Sequence, residues 1–551
     1  MVDAPSHRFR FDGRALEVPD GTTLARALAR HGPPVLQRSI RYHRPRAPVC
    51  GVGYCTGCLV RVNGRPNVRA CRYVPADGDT VRTENSWPSP RFDVMGALDL
   101  VFPGGVDTLR GFRRPAWLTG AYQRVVRRLA GYGAAPSASA LVPASAPVHR
   151  TADVVVVGGG ASGRAAAGRL ASAGRDVLVV DRSLPPAGGA LPSLGATVTF
   201  LPPRRSPDAP FEMLGFAEPS VGVAIRARSV VVATGGYDAN LLFEGNDRPG
   251  ILTADGAFAL VGDSDPAPFR RAIVVGGGFR ADRVLRRFGD RVEALVAPGG
   301  ISPEVTQRAS ELDIPLYPRT RVEAAAGRAR VRRLRLRSRG TRVGFDLGCD
   351  AVVLAHRRLP TPQLFFQAGA RMEWRGGAGA YFPVLGDGGA TTVPGLYAVG
   401  TTAGVLPDGA APSGERAAET ILGRPVVDSE APPRVEAAGP AELEGYYREL
   451  LAARRGGRWI ACPCEDVLLE EVLEASRGGY RGIEVVKRYT GLGTGLCQGR
   501  YCLPDALLLL SILEGRPPAE VGYITQRPPL VPTPLAAFAA LAPTTETPEV
   551  S

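Results

Sequence analysis

Between residues 154 and 181 the chain reads strand, glycine turn, helix, strand, acid. Val154–Val157 is an unbroken apolar run, Gly158-Gly159-Gly160-Ala161-Ser162-Gly163 follows, a helical pattern extends through Ala173, and Val177–Val180 ends at Asp181. This is G-x-G-x-x-G in the context it needs, with an acid 18 residues after the last glycine, and it predicts the opening βαβ unit of a doubly wound sheet. Gly158 makes the turn, Gly160 lets a pyrophosphate approach the backbone, and Gly163 lets the helix pack close; Asp181 would accept from ribose hydroxyls. An adenine dinucleotide is expected here, with FAD, NAD or a bare adenine nucleotide as candidates; the bland alternative is a βαβ turn that binds nothing.

Eight of the nine cysteines fall into two tight groups at opposite ends of the chain. Cys50, Cys55, Cys58 and Cys71 are spaced C-x4-C-x2-C-x12-C, and the loop Gly51-Val52-Gly53-Tyr54 carries two glycines that can turn N–H groups toward an anion. The spacing of the first three cysteines matches the plant-type [2Fe-2S] pattern, in which thiolates hold iron and N–H donors tune the sulfurs. Four cysteines can also hold zinc, usually as two close pairs. Cys462, Cys464, Cys497 and Cys502 read C-x-C-x32-C-x4-C. Both of these pairs lie near helix starts, where partial positive charge suits a cluster anion, and a second [2Fe-2S] centre is expected, with zinc as the alternative. Cys349 reads as a small core residue inside a buried strand over 346–355. His356 follows an apolar run and reads as structural.

Charge raises and then lowers one other possibility. Lys+Arg exceed Asp+Glu by 67 to 53 in 551 residues, a formal +14, which would normally suggest nucleic acid. Only one of those cations, Lys487, is lysine; with 68 Gly and 50 Pro the excess arginine reads as compositional bias, scattered rather than gathered with aromatics into a stripe. Nucleic acid is therefore not expected as a partner. A hydrophobic content of 44% excludes a disordered chain. No apolar run approaches the roughly 20 residues that span a bilayer, and no signal peptide is evident, so a cytoplasmic location without a membrane span is expected.

Two further segments belong with the first glycine turn. Val230-Val231-Val232-Ala233-Thr234-Gly235-Gly236 looks like the A-T-G strand that packs beside the cofactor in flavoproteins with two dinucleotide-binding domains. Pro394 through Thr401 resembles their closing strand, with Thr401 after Gly400 where an Asp is usual; that Asp touches the flavin ribityl chain or pyrophosphate. A second glycine turn, Gly276-Gly277-Gly278-Phe279-Arg280-Ala281, has Ala281 in the third glycine's place, and the strand after it ends at Ala297-Pro298 without an acid. It is expected to keep the fold more than to bind NAD(P).

The order of these blocks resembles the alpha subunit of the heteromeric sarcosine oxidase family, which also includes multi-subunit proline dehydrogenases, opine oxidases and hydrogen cyanide synthase. The likeness rests on Asn63-Gly64-Arg65-Pro66-Asn67-Val68-Arg69-Ala70-Cys71, Trp87-Pro88-Ser89 with Arg91-Phe92-Asp93, Gly245-Asn246-Asp247-Arg248-Pro249-Gly250, Cys464-Glu465-Asp466, Lys487-Arg488-Tyr489-Thr490 and Cys497-Gln498-Gly499-Arg500. It extends over about residues 8–535, without the folate-binding aminomethyltransferase domain of sarcosine oxidase alpha chains.

The resemblance implies an α/β multidomain fold. Residues 1–85 would form a β-grasp [2Fe-2S] ferredoxin-like domain, followed by a connecting segment and linker over 86–150. Residues 151–425 would form a Rossmann-like flavoprotein block with a second nucleotide-binding subdomain at about 270–350. A linker over 426–458, a small helical domain similar to bacterioferritin-associated ferredoxin over 459–520, and a Pro-rich, extended tail over 521–551 would complete it.

The resemblance further implies an electron-accepting role in a heteromeric complex. Amine oxidation would occur on a separate FAD-bearing beta chain that acts on sarcosine, proline, glycine or an opine. Electrons would cross to this chain, in several members through FMN at the interface, and leave to a small-molecule acceptor or carrier. Lys487, the lone lysine, is a candidate to sit near a flavin or cluster; an ordinary solvated lysine is the alternative. Two other readings stand beside this one: a self-contained NAD(P)H-dependent iron–sulfur flavoprotein reductase, and a non-catalytic scaffold that binds nucleotide and metal.

Overall fold

The structure, a computed structural model, describes residues 6–31, 35–97, 136, 141, 143–183, 191–262, 267–341, 343–426, 440–453 and 458–542. The chain divides into two compact units, one built from residues 1–141, 238–358 and 437–523, the other from 142–237, 359–436 and 524–551. Parts of the connecting segment expected over 86–150 and of the linker expected over 426–458 lie outside the described residues.

In the first unit, Ser6–Phe11 alternates exposed arginine with buried Phe9 and Phe11, as a strand with one solvated face must. It pairs antiparallel with Arg14–Pro19 and parallel with Thr80–Arg82, and the latter pairs with Leu59–Val62, which hairpins to Arg65–Arg69. The helix Leu24–His31 sends Leu24, Ala25, Ala27 and Leu28 inward. This is the β-grasp ferredoxin architecture. A second sheet runs parallel in the order Ile251–Thr253, Ala351–Leu354, Ala272–Val275, Val292–Val296, Leu316–Tyr317. The two sheets share one apolar core, in which Phe9, Leu24, Leu28 and Val81 join Leu252, Ala257, Phe269 and Val274.

The other unit is built on the long strand Val221–Val232. It pairs parallel with Val148–Val157 on one side; on the other it pairs first with Phe211–Ala217 and then with Leu396–Ala398. Val177–Asp181 and Ser193–Gly195 extend the parallel part. Helices Ala161–Ser172 and Ala410–Ile421 pack backbone to backbone, because a Cβ at Gly414 would run into the Ser162 carbonyl. Together these elements give the Rossmann-like flavoprotein fold.

Three segments differ from the sequence expectation. The linker expected over 426–458 contains the helix Pro440–Ala453, whose Leu443, Tyr446, Tyr447 and Leu450 are buried; Tyr446 Oη donates to the carbonyls of Leu242 and Val322 at 3.0 and 3.1 Å. The Pro-rich tail is not simply extended: Leu535–Leu541 is a helix, seated on the strand Val221–Val232 at Gly222, where a Cβ would strike the Ala537 carbonyl. The strand expected over 346–355 is two strands, Gly344–Gly348 and Ala351–Leu354. They part where the Asp350 carboxylate accepts the backbone N–H groups of Arg270 and Arg271 at 3.1 and 2.9 Å.

Candidate redox centres and dinucleotide crevice

Four parallel strands end in register. Val157 stands opposite both Val180 and Val232, and Val232 opposite Ala398. Gly158, Asp181, Thr234, Gly235, Gly400 and Thr401 therefore gather at the carboxyl edge of one sheet, where open α/β sheets take their ligands. Gly158 has φ 113° and a Cβ there would enter the Ala233 carbonyl; a Cβ at Gly163 would enter the Gly158 carbonyl. Gly160 faces open space, with no atom within 4 Å of where a Cβ would stand. The Asp181 carboxylate accepts from Gly159 N at 2.6 Å and Ser183 N at 2.7 Å, which fixes the turn and leaves acceptor capacity on both oxygens. The Thr234 and Thr361 hydroxyls meet at 2.6 Å, and Thr361 also donates to the Gly235 carbonyl at 3.1 Å. Thr401 lies against Gly236; at Gly400, with φ 62°, a Cβ would strike the Ser162 hydroxyl, and the Gly400 N–H donates to Ser413 Oγ at 2.9 Å. The glycine pattern and the acid fit an adenine dinucleotide. Thr361 and Ser413 had no motif to announce them.

The four N-terminal cysteines are all buried, and each stands beside at least one other. Cys50 hydrogen-bonds Cys55 and Cys71, and Cys58 hydrogen-bonds Cys71. Backbone N–H groups point at sulfur, from Cys55 to Cys50 Sγ and from Gly57 to Cys55 Sγ, both at 3.4 Å. Burial pushes the Cys50 thiol up, but bonds from Cys55, Cys71 and the N–H groups of Cys55 and Val52 outweigh it and hold it well below the ordinary range. A Cβ at Gly51 would collide with Ala259, and one at Gly57 with the Ala47 carbonyl. Four close thiols in a shell of N–H donors and little side-chain bulk form a donor set that fits a [2Fe-2S] group.

The second group is buried as well. Cys464 hydrogen-bonds Cys497, and Cys462 hydrogen-bonds Cys502. Cys502 immediately precedes the helix Leu503–Glu514. Cys497 is held at about 7, pulled down first by the Cys464 thiol, against burial, and then by the N–H groups of Tyr501 and Gly499 and by Arg500. Among the described residues no three Cys, His, Asp or Glu side chains are already disposed as a metal site. Asp466, two residues past Cys464, receives Arg44 Nη2 at 2.5 Å, Arg46 Nη2 at 2.6 Å and Arg41 N at 2.8 Å.

The other candidates take quieter places. Lys487 pairs with Glu484 at 2.8 Å on the helix Ile483–Thr490. Cys349 is buried, and burial pushes its thiol up to about 12. At the second glycine turn, a Cβ at Gly276 would enter the Ala355 carbonyl and one at Gly277 the Gly300 carbonyl. The buried Arg280 in the first turn of the helix Phe279–Phe288 bridges Asp238 and Asp255 at 2.5 Å each. The helix Ala254–Ala259 that carries Asp255 also packs against Gly51 of the first cysteine loop.

Comparison with known proteins agrees with this layout. A family model described as a 2Fe-2S iron-sulfur cluster binding domain matches residues 6–86, a pyridine nucleotide-disulphide oxidoreductase model matches 214–420, and a sarcosine oxidase A3 domain model matches 457–542. The sarcosine oxidase alpha chain of Rhizobium meliloti (strain 1021) is 28% identical over 96% of this chain and 57% of its own length. An opine oxidase chain of the same organism is 26% identical over 71% of this chain and 98% of its own length. The sarcosine oxidase alpha chain of Corynebacterium sp. (strain P-1) is 26% identical over 72% and 45%. The chain thus spans about half the length of the sarcosine oxidase chains it matches. Among solved structures, L-proline dehydrogenase from P. horikoshii superposes with a TM-score of 0.66 at 20% identity, over 98% of both chains; that likeness is one of fold. No described helix is long and apolar enough to cross a membrane.

Proposed function

The chain is a relative of the alpha chains of heteromeric sarcosine and opine oxidases, and from that premise we propose that it is the electron-transfer subunit of a flavin-dependent amine or amino-acid dehydrogenase or oxidase. The donor class is sarcosine, proline, glycine or an opine. Oxidation of the C–N bond belongs to an FAD-bearing beta partner, with FMN at the junction between them, and electrons leave this chain to a small-molecule acceptor or carrier. The observation that carries this reading is the pair of buried four-cysteine groups in a chain that also brings a dinucleotide turn to the edge of a parallel sheet.

The residues divide the work. Gly158, Gly160 and Gly163 would admit the pyrophosphate of FAD to the backbone, with Asp181 accepting from its ribose. Thr234, Gly235, Gly400 and Thr401 would line the same edge. Cys50, Cys55, Cys58 and Cys71 would hold one [2Fe-2S] group and Cys462, Cys464, Cys497 and Cys502 a second. When bound, the flavin supplies the conversion of a two-electron input into single electrons, which iron–sulfur centres can carry. The backbone N–H groups of Cys55 and Gly57 would stabilise added negative charge on the thiolates, and the surrounding apolar packing would keep water out. Lys487, as a compact cation, would serve the junction with the flavin or a cluster.

The test is to purify the chain with and without its co-expressed partner and to assay amine-dependent dye reduction. Turnover is expected in the complex only. Strong turnover of any amino acid by the isolated chain would overturn the electron-transfer reading. Loss of activity in a Lys487→Arg complex that keeps its cofactors would support the junction role.

A further inference from the structure

The two cysteine loops lie at opposite ends of the sequence and side by side in the fold. Thr56, next to Cys55, hydrogen-bonds Cys464. The buried guanidinium of Arg500, three residues past Cys497, stands 4.7 Å from the centroid of the Tyr54 ring, and its Nη1 donates to the Cys497 carbonyl at 3.1 Å. Arg69 Nη2, two residues before Cys71, donates to the Leu496 carbonyl at 3.2 Å across 427 residues of sequence. Behind these contacts Arg46 donates to the Pro463 carbonyl and to Asp466. One small cavity is lined by Cys55, Thr56 and Gly57 from one loop and by Pro463, Cys464 and Tyr501 from the other.

Four thiolates, two sulfides and two ferric ions carry a net charge of about −2. Two such groups in neighbouring loops repel, and adding an electron to either raises the repulsion in a medium of low dielectric. Arg500 is a permanent cation that touches both loops: it stacks on the first through Tyr54 and bonds the second through Cys497. Its flat, delocalised guanidinium suits that double contact, as a lysine ammonium would not.

We propose that the two cysteine groups work as one coupled electron-transfer pair, with Arg500 as the positioning residue that holds the loops together and offsets their charge. This rests on the two-cluster reading above. The step it serves is a single-electron exchange: one centre, reduced by a flavin donor, is oxidised by one electron as the other is reduced by one. No protein bond forms or breaks, and no proton is transferred.

The full-length chain, reduced stepwise with dithionite, is followed by EPR and potentiometric titration. The doubly reduced wild type is expected to show spin–spin splitting and fast relaxation. Arg500→Met should keep about four irons per chain, weaken the splitting, and lower both midpoints by roughly 59 mV, a tenfold change in a one-electron equilibrium. Arg500→Lys, which keeps the charge, should restore the potentials more than the splitting. Should Arg500→Met lose iron, Tyr54→Leu decides, and unchanged splitting in it overturns the proposal. Four irons per chain with two unsplit, independent signals in the wild type would overturn the pairing and leave the cluster assignment standing. Two irons and two sulfides per chain would overturn that assignment and the pairing with it.

Discussion

Arg357 Nη2 meets Asp505 Oδ1 at 2.7 Å, and both residues are buried. Arg357 follows the strand Ala351–Leu354 and Asp505 sits in the first turn of the helix after Cys502, so one ion pair ties the second cysteine group to the parallel sheet. Removing one partner leaves the other charged in an apolar setting. Asp505→Ala should cost about 3–5 kcal/mol, read as a drop in the midpoint of thermal unfolding. The double variant Arg357→Met with Asp505→Leu should recover much of it.

Cys55→Ser should remove most of the absorbance and the reduced-state EPR signal of the N-terminal group, while Cys464→Ser should spare that signal. Iron and acid-labile sulfide analysis of each variant, normalised to protein, checks the separation. An unchanged signal in Cys55→Ser would remove the N-terminal assignment.

Two glycines in one turn should behave oppositely. A Cβ at Gly160 meets no protein atom within 4 Å, so in Gly160→Val the fold should survive while a bulky side chain fills the path of the pyrophosphate. Gly163→Val drives its Cβ into the Gly158 carbonyl and should destabilise the whole βαβ unit by about 1–3 kcal/mol. Acid extraction of adenine nucleotide and thermal unfolding, measured together, separate lost binding from lost folding.

The ring nitrogens of His356 are buried, and burial, aided by Arg357 and opposed by a hydrogen bond to the Asn240 backbone, lowers its pKa from 6.5 to about 3. The folded state therefore binds fewer protons than the unfolded chain between those values. Stability from this group is fully present above pH 6.5 and is lost as pH falls through the window toward 3, on the order of a few kcal/mol in all. His356→Leu should flatten that part of the stability–pH curve, measured by denaturant unfolding at pH 7 and pH 5.

Legibility followed the range of the interactions. Phe9 and Phe11 alternate with arginine, and Gly158 through Asp181 keep a motif's spacing, so strand, turn and crevice could be read locally. The helix Pro440–Ala453 was hidden by the Pro, Ala and acid residues before it, although Leu443, Tyr446, Tyr447 and Leu450 have helical spacing. Asp350 breaks a strand through bonds to Arg270 and Arg271, some 80 residues earlier, and an apolar run carries no sign of that. Each cysteine group was legible by itself; its neighbour was not, since nothing in Thr56 or Tyr54 names Cys464 or Arg500 as a partner.

The single apolar core shared by the ferredoxin sheet and the parallel sheet limits how this chain can be divided or recombined. Residues 1–85 look in sequence like a cassette that could be exchanged for any small electron carrier. In the fold, Leu24 and Leu28 rest on the same interior as Leu252 and Phe269, so excision would strip both halves of buried surface at once. Transplanting this cassette means redesigning the seam as well, and substitutions on the two sides of it should be inherited together.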